Sequence, residues 1–134
     1  MNGVIAVRSL LVADTGVTAL VPMARIVAGA LPQGTILPAI ALMSISSVDR
    51  NVPAPGPKRR VTERVQVTVL AASYPAAKAI IRAVRAAAAD RMPAIDGLTD
   101  VTVHTDSAGP DFLDEETGIH MQTQDFRVSF NEAR

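Results

Sequence analysis

His104 and His120 are the only imidazoles in the chain, and both fall in C-terminal stretches that alternate polar and apolar residues. If those stretches pair as neighbouring strands, two nitrogen donors approach each other, as a metal site requires. A third, acidic ligand at a diagnostic spacing is missing, so the expectation is two polar strand histidines and no metal. The carboxylates Asp111, Asp114, Glu115 and Glu116 crowd one short stretch. They lack the alternating ligands and central glycine of an EF-hand loop, and a solvated acidic loop is expected there instead of calcium.

Nucleophilic chemistry finds no footing either. The chain has no cysteine, which removes disulfides, thiolate catalysis and sulfur-ligated metals together. No G-x-S-x-G elbow presents a serine to a base. "GPKRR" at 56–60 has a Gly and a Lys but neither the Walker spacing nor a strand-to-helix setting. The expectation is a protein that is not an enzyme and needs no cofactor.

Charge is the more informative signal. Residues 50–60 carry Arg50, Lys58, Arg59 and Arg60 with no acid, while residues 106–116 carry Asp106, Asp111, Asp114, Glu115 and Glu116 with no base. The formal net charge is zero, so no global field draws the protein to nucleic acid or an anionic membrane. Segregated charge in a neutral chain has two readings. The loops are polar because turns are polar, or each meets a surface of opposite sign.

These residues are positioned by a readable series of elements. In 3–13, Val4, Val7, Leu10 and Leu11 share one helical face, and "DTG" at 14–16 stops that helix and caps a short turn. "ILPAIALMSISSV" at 36–48 reads as a mostly buried strand, and "DRNVPAPGPKRR" at 49–60, with three prolines, as a mobile or extended loop. In "RVTERVQVTVLAASYP" Val61, Val65, Val67 and Val69 alternate with Thr62, Arg64, Gln66 and Thr68, a strand with one wet side. Ser73 then caps a helix over 74–91, with Pro75 in its first turn and Ala77, Ile80, Ile81, Val84 and Ala88 on one face. Strands follow at 98–105 and 120–132, separated by a second flexible loop near 106–118. The order αββαββ predicts one small α+β domain over residues 1–134, with an antiparallel-rich sheet packed on one main helix.

On that helix Lys78, Arg82 and Arg85 form a stripe, and Ala76, Ala79, Ala83, Ala86 and Ala87 cover most of the remainder. Either this is a high-propensity helix with a solvated basic edge, or small side chains at Ala79, Ala83 and Ala86 let another protomer approach closely. Composition favours partners. Hydrophobic residues make up 49% of the chain but aromatics only 3%, so an Ala- and Val-rich core should be thin. The N-terminus lacks a basic signal-peptide region, and the apolar stretches are interrupted by Pro22, Arg25 and Pro38, so a soluble protein with no membrane span is expected.

With these elements in order, the chain resembles the tail completion, or tail terminator, proteins of long-tailed phages. The resemblance is carried by "SLLVADTGVTALV", "RIVAGALPQGTILPAIAL", "RVQVTVLAASYPAAKAIIRAVRAAA" and "QTQDFRVSF", a pattern of apolar positions and lengths over nearly the whole chain. It implies a structural virion protein without catalytic residues, forming a homohexamer ring on the head-proximal end of the tail tube. Such a ring ends tube polymerisation and offers a head–tail joining surface, touching the tail tube protein and the head–tail connector while DNA passes through without specific binding. Another neck component, an adaptor or stopper, is the neighbouring alternative, and a small cytoplasmic α+β binding module a more distant one. The excess of Arg over Lys and the abundant Ala suggest a GC-rich bacterial source, making a phage-derived gene transfer particle as natural a home as a virus, with assembly in the bacterial cytoplasm. The charged stretches 50–60 and 106–116 are then candidate contacts, with each other across a protomer boundary or with the rings above and below.

Overall fold

In a computed structural model, which describes residues 2–134, the N-terminal apolar period forms helix α1 (Asn2–Ala13), burying Val4, Val7 and Leu11. Asp14 accepts a hydrogen bond from the Val17 amide at 3.0 Å and caps the short helix α2 (Thr15–Thr18), supplying an acceptor for an otherwise orphaned helix-end donor. A single 3-10 turn (Met23–Arg25) leads into strand β1 (Ile26–Ala28). Two long strands, β2 (Ala39–Arg50) and β3 (Lys58–Ala71), precede helix α3 (Tyr74–Ala88). Ser73 caps α3 by accepting from the Ala76 amide. The chain closes with β4 (Leu98–Ala108), β5 (Phe112–Asp114) and β6 (Ile119–Ala133).

The major elements follow the expected αββαββ order, with β1 and β5 as short additions. The sheet order is β1-β2-β3-β6-β4, with β5 on the end of β6. All pairings are antiparallel except β1 with β2. The spine is β3 against β6, in unbroken register from Lys58↔Ala133 to Ala71↔His120. With 14 residues in β3, the spine is roughly 45 Å long.

One face of this sheet is dry. Val61, Val65, Val67 and Val69 of β3 and Phe126, Val128 and Phe130 of β6 join Val7 and Leu11 of α1 and Ile80, Ile81 and Val84 of α3 in one core. Burying such aliphatic and aromatic side chains contributes about 1.5–3 kcal/mol apiece before entropy is counted. Glu63 stands among them, and the Gly3 amide of α1 donates to its Oε1 at 3.2 Å. The other face, with Thr62, Arg64, Gln66, Thr68, Arg127 and Ser129, is covered by no helix and remains partly or fully exposed.

Three expectations change. Strand β2 is buried only over Ala39–Leu42, because its edge partner β1 ends there with Ala28 opposite Leu42; Met43 to Arg50 run on exposed. The expected loop 49–60 shrinks to residues 51–57, since Arg50 pairs with Arg60 and Lys58–Arg60 pair with Asn131–Ala133 of β6. The prolines 53, 55 and 57 do occupy the connection, as their missing amide donors require. The expected loop 106–118 is largely structured, because β4 extends to Ala108 and Phe112–Asp114 pairs with Ile119–Met121 as β5.

Candidate assembly surfaces

The histidines do not form a metal site. His104 faces Arg127 on β6, while His120 faces Ala71 and Leu113, so seven residues of β6, roughly 23 Å, separate them along the sheet. His104 Nδ1 lies 2.8 Å from Asp90 Oδ1, and His120 meets the edge of the Tyr74 ring with centroids 6.3 Å apart. No cluster of three His, Cys, Asp or Glu able to hold a metal occurs among the described residues.

The basic group divides in two. Arg59 is held by Asp49 at 3.5 Å and Glu132 at 4.0 Å. Arg60 donates to the Asp100 carbonyl at 2.8 Å and toward Asn131 at 3.4 Å. Lys58 reaches only the Thr99 hydroxyl, at 3.4 Å. Arg50 lies directly opposite Arg60 on the β2–β3 ladder and, among the described residues, has no acidic partner.

The acidic group divides similarly. Asp111 accepts from Lys78 Nζ at 2.5 Å and from the Tyr74 hydroxyl at 2.9 Å, tying the start of α3 to the segment before β5. The hydrogen bond from Lys78, followed by that from Tyr74, lowers the Asp111 pKa. The same bond to Asp111 raises that of Lys78. Asp114 Oδ1 accepts from the Glu116 amide at 3.1 Å and shapes the β5–β6 turn. Glu115 and Glu116 project into solvent. Arg50 with Lys58–Arg60 and the acids of 111–116 therefore sit at opposite ends of the β3–β6 spine, roughly 40 Å apart, and do not meet within one chain, while Asp106 lies midway along it.

The helix residues also separate. Ala79 is half-buried and Ala86 exposed, flanking exposed Arg82 on the outer side of α3. Ala83, expected on the same contact face, packs against the core from its edge, and Ala87 is 4% exposed within it. Of the expected basic stripe, Lys78 also donates to Gln122 and Arg85 donates to Gln124, so only Arg82 stands clear.

The bare sheet face carries a network that the sequence did not disclose. Arg64 donates to Asp125 Oδ2 through Nε at 2.7 Å and Nη2 at 2.5 Å. Its Nε lies 3.5 Å from Asp106, which also receives Arg127 at 3.2 Å. Beside it Ser46, Val48, Thr62, Arg64 and Arg127 line a hollow of about 370 Å³. The alternation did place Arg64, Asp125 and Arg127 on polar positions; which strand faced which was the missing information.

A family model described as "Tail completion protein gp17" matches residues 5–130 of the chain. The chain belongs to that tail completion family. Membership gives it a structural role in a phage-type tail. A chain in the solved structure "Virion of native gene transfer agent (GTA) particle" is similar to this tail completion protein, with a TM-score of 0.75 and 21% identity. The alignment covers 97% of this chain and 96% of that one, so the two share a fold from end to end. No curated protein matches the chain. No helix among the described residues is long and apolar enough to cross a membrane.

Proposed function

We propose that this tail completion protein forms a homohexamer ring on the head-proximal end of a tail tube, ends tube polymerisation and provides the surface to which the head connector joins. The observation carrying this reading is the one-sided sheet. Its helices cover one face, while the other keeps polar and apolar residues open along a spine of roughly 45 Å. An antiparallel sheet often leaves a polar face in water, but this one also exposes Met43, Val48 and Phe112 at 50%, 65% and 56%, apolar surface of the kind a partner covers. Oppositely charged ends on a neutral subunit add the polarity that a stack of unlike rings requires.

The ring's partners are further copies of itself, the tail tube protein below and the head–tail connector above. Its home is the tail of a virus or of a gene transfer particle, consistent with the relative found in such a particle, and it is assembled in the bacterial cytoplasm. DNA passes through without specific binding, because a zero net charge supplies no strong phosphate attraction. Electron microscopy of particles assembled without this chain tests the reading. Overlong tails are expected. Tails of normal length that lack heads would move the protein to an adaptor or stopper position in the neck.

A further inference from the structure

Two unlike surfaces of this chain complement each other, and we infer that they form one contact between successive copies, in which the acidic β5–β6 hairpin of one copy seats on the hollow beside Arg50 of the next. The inference rests on the ring reading above and names the contact that closes the ring.

The receiving surface lies where β2 runs beyond the core. Arg50 stands opposite Arg60 across the ladder, an arrangement that destabilises a sheet unless an anion relieves it. Arg60 is turned toward Asp100 and Asn131, which leaves Arg50 as the cation still to be matched. Next to this pair the hollow of about 370 Å³ exposes Val48 at 65% of its surface. At ~30 Å³ per water, it has room for an aromatic side chain.

The entering surface has the opposite charge and the same apolar centre. Phe112 is 56% exposed in β5 on the open face of the sheet, Leu113 lying on the opposite side, and Glu115 and Glu116 follow in the turn. Lys78 does not neutralise these two acids, because it is engaged by Asp111. Phe112 flanked by Glu115 and Glu116 thus matches Val48 flanked by Arg50, the hollow's own Arg64 and Arg127 being engaged by Asp125 and Asp106. Contact between identical ends would set like charges together, so the complementary pairing is heterologous and propagates head to tail, closing into a ring or extending as a filament.

The spacing suits closure. From Asn131, opposite Arg60, to Ile119, opposite Asp114, the spine advances 12 residues, roughly 40 Å. Six contacts at that interval stand about 40 Å from a common axis, since the side of a regular hexagon equals its radius, and the centre stays open.

The test uses charge reversals at residues that hold nothing within the subunit. Arg50→Glu, and separately Glu115→Lys with Glu116→Lys, should each raise the concentration needed for self-association about tenfold at low salt without lowering the melting temperature, which Arg50→Glu should raise slightly by placing an acid opposite Arg60. Native mass measurement over a concentration series supplies the readout. All three reversals in one chain should restore association, as should an equimolar mixture of the two variants, because every contact in that mixture can again pair opposite charges. Variants that assemble like the parent overturn the contact, and so does impaired assembly that neither the combined chain nor the mixture recovers. A parent protein that remains monomeric at every concentration and on isolated tails removes the ring reading together with this contact. A parent ring indifferent to the reversals removes the contact alone.

Discussion

The amide of Gly3 and the carboxylate of Glu63 meet across the seam between α1 and the sheet, with N to Oε1 at 3.2 Å. A Cβ added at Gly3 would stand 2.8 Å from the Glu63 carboxyl and 3.1 Å from Val65. Helix α1 docks this closely because residue 3 has no side chain, and its first turn delivers an amide to a carboxylate that is 2% exposed. A negative group at this position also opposes the positive end of the helix dipole.

Gly3→Ala should therefore destabilise the subunit by about 1–3 kcal/mol, the usual cost of overpacking, although alanine favours a helix by about 1 kcal/mol. Chemical denaturation of purified protein measures it. Combined with Glu63→Val, the Gly3→Ala change should lose most of its cost through coupling. A stability equal to or above that of the parent contradicts the packing argument.

Arg64 shields Asp125, whose side chain is 4% exposed although it lies on the bare face of the sheet. Arg64→Met removes the fork and leaves that carboxylate without its charged partner, an effect of about 2–3 kcal/mol after allowance for the 43% exposure of Arg64. Arg64→Met with Asp125→Leu should recover a large part of the loss, since the buried carboxylate left without its partner is then gone. An unchanged denaturation midpoint in Arg64→Met would show the pair to be idle.

The Lys78–Asp111 link gives a pH signature with a defined sign. The Asp111 pKa is lowered from 3.8, so its contribution is complete above that value and fades as pH falls through the lower folded value. The Lys78 pKa is raised from 10.5, so its contribution is complete below that value and fades as pH rises through the higher folded one. The tie should hold throughout the interval between and release only outside it. Tyr74, the single tyrosine in a chain without tryptophan, donates to Asp111, so its fluorescence reports the link directly. Emission that changes near neutral pH in a His120→Gln variant, which removes the imidazole beside the Tyr74 ring, would refute the assignment.

Ala83 and Ala86 differ by one helical turn and should differ in consequence. Ala83→Leu drives methyl groups into the core edge and should destabilise the subunit by about 1–3 kcal/mol. Ala86→Leu, on the exposed side, should change subunit stability by no more than ~0.5 kcal/mol and act, if at all, on assembly. Thermal melts of the two variants separate the cases, and equal melting temperatures would erase the distinction.

The periodicities alone determined a good deal of this protein. Alternation in 61–69 fixed the buried face of β3, and the three- and four-residue spacing from Ala77 to Ala88 fixed the inward side of α3, because local geometry dictates which side chains share a face. Ser73, Asp14 and the prolines of 53–57 set boundaries through their own hydrogen-bonding chemistry. The sequence could not say that β6 would lie between β3 and β4, and therefore that Arg64 would find Asp125 and Asp106. Nor could it say that Arg50 would face Arg60. Pairing and register are decided by which distant segments bury their apolar faces together, and a shift of one residue would have reversed every face. The same tertiary choice placed the basic and acidic groups at opposite ends of one rigid spine, because a strand holds residues 3.3 Å apart along its whole length whereas a loop does not.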